Sequence, residues 1–393
     1  MIITGMSAID WWRTPPKIRA AWLTQEQLLA ADAPTGYLVQ SLSKQRSNAA
    51  EPIRHIQNRL LGDLKGVRLP IHLLVSQHAP ETKNALVQAH RMYREIPSSY
   101  VRDIGNGLSV VSPAVALVQV AGALGFYKTL ELMYEFCGIF TRFTPTHRAR
   151  AAMSQLKADG EWEAASRKRG IEGVFAYYTD SGSMEPMYTP SGERLPWTPC
   201  FTRRGAFANM CKRPPLIRCD DLAASISELR GIHGIQVARK AVRQVQPGAG
   251  SPLEVKMNMI VSLPPRYGGE GWPRPHLNRR IAFSPAAKAM TAADSCVGDL
   301  VWSRERVVLE VNGFDFHADE EGFKISSGRT SALEAMGYTV IDITYDQMSS
   351  SEALELKLER LGQCLGVPLQ KRTVSFLGKR QKLHAALFSH ERL

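Results

Sequence analysis

The sequence has no C-x-x-C pair. Its six cysteines, at positions 137, 200, 211, 219, 296 and 364, are scattered. That excludes a zinc knuckle or a disulfide framework and suits a reducing cytoplasm. The first residues lack the basic, apolar and small-residue succession of a secretion signal, so a cytoplasmic location away from membranes is expected. No apolar run reaches membrane-spanning length uninterrupted. Residues 110–134 come nearest, and Gln119, Lys128 and Glu131 interrupt them, so they read as core helices. Acids are in short supply: 37 Asp and Glu face 49 Lys and Arg, a net charge of +12. The shortage is uneven. Residues 251–365 hold 12 basic and 16 acidic residues, and the remainder holds 37 and 21. Attraction to nucleic acid would arise largely outside this C-terminal stretch. A basic surface without a ligand is the plainer alternative.

What is there is ordinary for a globular protein: 393 residues, 44% hydrophobic and 22% charged, enough for two domains or more. Residues 1–65 read as a helical N-terminal segment, with a helix start at Thr24-Gln25-Glu26-Gln27. Within it, residues 41–59 carry Lys44, Arg46, Arg54 and Arg59, either a DNA-contacting helix pair or a solvated face. Residues 66–140 read as a small α+β domain. It opens with a strand over 66–76 and a helix over 81–93. A strand then runs into a helix capped by Ser112 with Pro113 at its first position, and helices over 114–124 and 127–137 follow. Residues 141–216 form a long excursion with a basic helix over 147–168. Later in it, Arg203, Arg204, Lys212 and Arg213 interleave with Phe201 and Phe207. Such a cluster suits a nucleic-acid backbone, or marks a loop packed down by its aromatics. A helical connector over 217–250 ends at the Pro/Gly-rich break of residues 246–252.

The chemistry concentrates in the next segment, residues 251–366. Short apolar runs at 297–302 and 307–311, joined by a turn at 303–305, predict a β-hairpin. An acid sits inside each run: Asp299 in the first, Glu310 in the second. Apolar strands seldom carry a carboxylate unless something pairs with it, and two acids on adjacent strands converge on a hard cation. Glu254 lies on the helix that leads in. Arg274, Arg279 and Arg280, in a Gly/Pro/Arg-rich loop over 265–280, are candidate phosphate contacts. A crossover helix over 319–336, a strand over 338–344 and a helix over 351–365 complete an α/β arrangement with a mixed sheet. Residues 367–393 form a basic tail with Lys371, Arg372, Lys379, Arg380 and Lys382, which either tracks DNA or is a mobile end.

The order of these residues resembles the PD-(D/E)XK nuclease superfamily, most of all its Vsr-like branch and a related uncharacterised endonuclease-like domain. An E-x-D-G-x-x-x-H element following a first Asp is matched by Glu310, Asn312, Gly313 and His317 after Asp299. A later R-x-x-x-L-x-x-x-G-[YW] element is matched by Arg329, Leu333, Gly337 and Tyr338, and an opening helix with Glu after Ser-Pro by Glu254. The resemblance spans residues 248–366. It implies a restriction-endonuclease-like mixed sheet flanked by helices, preceded here by a mainly helical α+β region. It implies DNA hydrolysis with Mg²⁺ or Mn²⁺ held by Asp299 and Glu310. His317 would act as general acid or base. Lys324 and Arg329 are each either a group that holds the scissile phosphate or a surface charge. The strand, Ser112-Pro113 and apolar helix also resemble the middle of actinobacterial proteins grouped with AbiEi-type antitoxins. That suggests phage defence or mobile-element biology, with protein partners in a defence or toxin–antitoxin system.

Each residue type also has a plainer use: a turn Asp at 299, a Glu310 paired to Arg306 or Arg329, a surface His317, a solvated helix-start Glu254. The sequence departs from the family at Asn312, where a Lys or Asp is usual, and at Ser326 and Ser327, where an acid is common. Asn312 can coordinate through its carbonyl but adds no charge. The departures make an inactive, DNA-binding relative the alternative: an antitoxin-like regulator or a subunit of a nucleoprotein complex.

Overall fold

The structure is a computed structural model that describes residues 1–24, 27–28, 61–78, 86–91, 95–160, 176–178, 184–186, 197–202, 206–291, 293–312 and 320–388. It is a mixed α/β protein of two compact units. The first comprises residues 1–125, 141–173 and 196–242, and the second residues 126–140, 174–195 and 243–393.

The first unit is built on a five-stranded sheet ordered β3-β2-β1-β5-β4. The strands are β1 (Ile2–Ile3), β2 (Ile71–Val75), β3 (Val87–Arg91), β4 (Val101–Gly105) and β5 (Leu108–Val111). Helices α1 (Gly5–Arg13) and α2 (Pro16–Ala20) follow β1. The helix expected over 81–93 is corrected in part: residues 87–91 pair in parallel with β2, from Ile71↔Val87 to Val75↔Arg91. Pairing with a neighbour overrides the helical tendency of so short a segment. Ser112 does cap the next helix, α3 (Pro113–Cys137), its Oγ accepting from Val115 N. Long and apolar enough to cross a membrane by length and composition, α3 breaks at Gly125, where φ is +72°. The two helices expected over 114–124 and 127–137 meet there.

A three-stranded sheet joins β6 (Phe140–Arg142), β10 (Phe207–Lys212) and β9 (Thr198–Phe201). Phe201 and Phe207 pack on a core of Ile18, Phe143, Ala149, Ala152 and Leu156. These aromatics are packing groups, the second of the two readings weighed for them. Helix α4 (His147–Ala158) lies beneath them, and α5 (Cys219–Glu228) and α6 (Ile235–Val242) end the unit. The basic stretch at 41–59 lies outside the described residues.

The second unit carries a six-stranded sheet ordered β14-β13-β12-β11-β7-β8. Its outer pair, β7 (Ala176–Tyr178) and β8 (Met184–Pro186), comes from the segment read as an excursion. The centre is a meander of β11 (His276–Ala282), β12 (Ser295–Trp302) and β13 (Val307–Asn312). The hairpin forms as expected, its turn helped by Arg306 in the left-handed region at φ +53°. Helix α7 (Pro252–Ser262) leads in, α8 (Pro285–Lys288) follows β11, and α9 (Glu320–Ala335) crosses to β14 (Thr339–Thr344), parallel to β13. Residues 276–280, expected in a loop, are corrected to strand: they pair with β12 from His276↔Val301 to Arg280↔Val297.

The short α10 (Tyr345–Ser349) and α11 (Ser351–Leu365) come next. The basic end is corrected as well. Residues 374–388 form α12 (Val374–Phe388), which buries Phe376, Arg380, Leu383 and Leu387. Arg372 and Arg380 both reach the carboxylate of Glu270, a residue with no exposed surface. They serve the fold.

Candidate functional site

Four polar residues stand at one level across the central strands. Asn278 on β11 lies between the pairs Leu277↔Leu300 and Arg279↔Gly298, which sets it opposite Asp299. Asp299 is one residue beyond the pair Leu300↔Leu309, beside Glu310. Glu310 is in turn paired with Asp342 on β14. Above and below this tier the partners are apolar: Leu300, Leu309 and Ile341 at one step, with Val311 and Ile343 at the other.

The β12–β13 ladder gives out at this tier. Val311 N donates to Asp299 Oδ2 at 2.8 Å, a side chain taking the place of a strand carbonyl. Gly298 is the neighbouring residue on β12, paired with Arg279 of β11. A Cβ there would lie 2.7 Å from Val301 Cγ2 and 2.9 Å from Val308 Cγ1, closer than carbon atoms approach. A larger residue at 298 would push these valine side chains aside next to Asp299.

Helices supply two more groups. At the start of α7, Ser251 Oγ accepts from Glu254 N, so the helix begins where the Ser-Pro signal puts it. Glu254 Oε2 accepts from Gly250 N at 2.7 Å and from Asn278 Nδ2, which also donates to Gly248 O at 3.0 Å. Asn278 holds this position with φ at +48°, a conformation Asn tolerates better than most residues. The helix is fixed by fully buried Asn258, which donates to Tyr134 Oη at 2.8 Å and to Gln246 Oε1 at 2.9 Å. From α9, Leu333 and Ala332 pack on Val301 and Val308. About one turn earlier on the same helix, Arg329 Nη2 meets Glu310 Oε2.

Negative charge is in excess here. Among the described residues Arg329 is the one cation paired to Glu310, and none pairs with Asp299 or Glu254. Glu310 is buried, and its Oε1 has no hydrogen-bond partner. Burial, together with the charges of Glu310 and Glu254, pushes the Asp299 carboxyl well above the usual carboxylate range, against the pull of Val311 N–H and Arg329. Glu310 is also raised by burial, with Arg329 opposing and Asp342 and Glu254 reinforcing. Burial lifts the neighbouring Cys296 thiol to about 12. A site in which carboxylates raise one another in this way has an affinity for a cation or, failing that, a proton.

The remaining sequence candidates fare differently. Asn312 Nδ2 donates to Asp342 Oδ1 at 3.1 Å, which ties it to the tier's edge. Arg274 donates to Arg243 O at 3.2 Å, and Arg280 to Ser295 Oγ at 2.9 Å. Arg279 is half-buried on β11. His317 lies outside the described residues. Lys324 belongs to α9, with its side chain outside them too. Two residues of the tier, Asn278 and Asp342, are not among the sequence candidates. Asp342 carries the same signal as Asp299, an acid between Ile341 and Ile343 in an apolar strand, while Asn278 was hidden because its strand was read as a loop. Among the described residues no three His, Cys, Asp or Glu side chains are grouped as a metal's ligands. Comparison with family models, with curated proteins and with solved structures finds no match for the chain.

Proposed function

We propose that the second unit is a Mg²⁺- or Mn²⁺-dependent DNA endonuclease with a restriction-endonuclease-like core of the Vsr-like, PD-(D/E)XK kind. The observation that carries this reading is the buried Glu310 Oε1 without a partner, level with Asp299 in a tier where carboxylates outnumber cations. Mg²⁺ fits this donor set: it takes oxygen ligands, often only one or two carboxylates, and leaves its other positions to water and phosphate. Glu310 Oε1 and the Asp299 carboxyl, whose Oδ2 alone is engaged by Val311 N–H, would hold it. When bound, the cation neutralises charge on the phosphoryl oxygens and makes a water easier to deprotonate.

The chain's own groups do the rest. Glu254, braced by Gly250 and Asn278, adds negative charge beside Asp299 and Glu310 and so favours the cation. Arg329, with about a third of its side chain exposed, holds Glu310 and turns its remaining N–H groups towards a phosphate. His317 would give the leaving oxygen its proton. The charge distribution suits a polyanion: the first unit holds 28 Lys and Arg against 15 Asp and Glu, the second 21 against 22.

A second reading is favoured by the Arg329–Glu310 pair itself. A guanidinium already neutralises one of the two acids, and Asn312 is spent on Asp342. On that reading the protein binds DNA without cutting it, as an antitoxin-like regulator or a subunit of a nucleoprotein complex. Incubation with supercoiled plasmid separates the two. The endonuclease reading predicts nicking that needs Mg²⁺ or Mn²⁺, stops with chelator, and falls at least about 100-fold in Asp299→Asn. Binding without nicking under every condition would leave the second reading. Nicking that survives Asp299→Asn would remove the site assignment.

A further inference from the structure

Trp11 and Trp12 of α1 stand edge to face, with ring centroids 4.8 Å apart. A guanidinium lies over each. Arg19 of α2 is 4.0 Å from the Trp11 centroid, and Arg102 of β4 is 5.7 Å from that of Trp12. Trp12 is pinned by its indole N–H, which donates to Val111 O at 2.9 Å. Among the described residues neither guanidinium has a hydrogen-bond or ion-pair partner, and Arg19 Nε is buried without an acceptor. Asp103, the next acid along, points to the other side of its strand and accepts from Gly105 N in the turn. Two cations laid on the two rings of one aromatic pair, with no acceptor for their donors among the described residues, are a costly arrangement unless an anion joins them.

We propose that Arg19 and Arg102 form a clamp for the phosphodiester backbone of duplex nucleic acid, the contact by which the basic unit holds the substrate proposed above. The inference rests on that reading for its ligand. The rings themselves are 6% and 8% exposed and lie under the guanidiniums, so they do not stack on bases. The clamp therefore reads backbone and not sequence. Burial, and after it the charge of Arg102, lowers the Arg19 guanidinium to about 10. Cation–π contact leaves the terminal N–H groups of each guanidinium available to phosphate oxygens, while Arg19 Nε stays buried.

The test is anisotropy of a random-sequence duplex between 50 and 200 mM NaCl, using the full-length Asp299→Asn chain so that the duplex survives. The expected result is that Arg102→Gln, whose side chain is exposed and whose melting temperature should not change, lowers the slope of log K against log salt by about 0.9. Arg102→Lys should restore the slope, because it keeps the charge. Arg19→Gln should act in the same direction. Equal slopes and affinities in Arg102→Gln and its parent would overturn the clamp, as would absence of duplex binding at low salt. So would an Arg102→Gln defect seen on phosphatidylserine vesicles and not on duplex. Failure of the nuclease reading is separate: it shows as intact, salt-dependent binding by the wild-type chain with no nicking.

Discussion

At the residue scale, the informative feature is a carboxylate where a strand should be apolar. Asp299 and Glu310 are legible from sequence because Val, Leu and Trp surround them and solvent-facing alternation is absent. Their environment was not legible. That Val311 N–H would bind Asp299, or that Arg329 and not Arg306 would take Glu310, depends on where the β12–β13 ladder ends and on the pitch of the crossover helix. Like charges crowded at this tier oppose folding, so Asp299→Asn, which keeps an acceptor for Val311 N–H, should leave the thermal stability of the protein equal or higher while nicking is lost. A lowered melting temperature would argue that the acid is a structural group.

The first unit holds a different titrating pair. His72 Nδ1 and His90 Nε2 are 2.8 Å apart on neighbouring strands. Burial lowers both; the nearby His90 lowers His72 further, and Asp10 partly offsets this. Histidines depressed in the folded state bind fewer protons than in the unfolded chain. Their contribution is therefore complete above about pH 6.5 and is lost as pH falls below it. His90→Gln should flatten the dependence of urea stability on pH between about 7 and 5; an unchanged profile would show that the pair does not titrate in that window.

At the element scale, what could be read was what local periodicity controls. The hairpin of β12 and β13, the crossover α9, strand β14, α11 and the Ser-Pro start of α7 all fall where the pattern predicts. Elements that depend on partners distant in sequence did not. Residues 87–91 become a strand only because β2 lies alongside, and β7 and β8 join a sheet whose centre is a hundred residues later in the chain. The C-terminal helix was hidden by its charges, yet Phe376, Arg380, Leu383 and Leu387 recur at helical spacing. Its anchor is Glu270, which accepts from Arg372 at 2.9 Å and from Gln370 N at 2.8 Å and also meets Arg380. Glu270→Gln strands the buried Arg380, while Arg372 keeps Glu355, and should cost about 3 kcal/mol in chemical denaturation. A loss below about 0.5 kcal/mol would mean that α12 is held by its apolar face alone.

At the scale of the whole molecule, the two units divide the charge: the excess of Lys and Arg lies in the first, and the second is near balance around the tier that holds Asp299 and the buried Glu254 and Glu310. Attraction to a polyanion and affinity for a divalent cation want opposite potentials, and on the proposed function separate units would let one chain provide both. Duplex affinity should accordingly fall at least about tenfold between 50 and 200 mM salt, with a slope unaffected by Glu310→Gln. The central claim is that Asp299 and Glu310 together hold a divalent cation, and calorimetric titration of the full chain with Mn²⁺ tests it most directly. One binding event in the wild-type protein, lost in Asp299→Asn and in Glu310→Gln, is the predicted result; identical heats from all three proteins would contradict it.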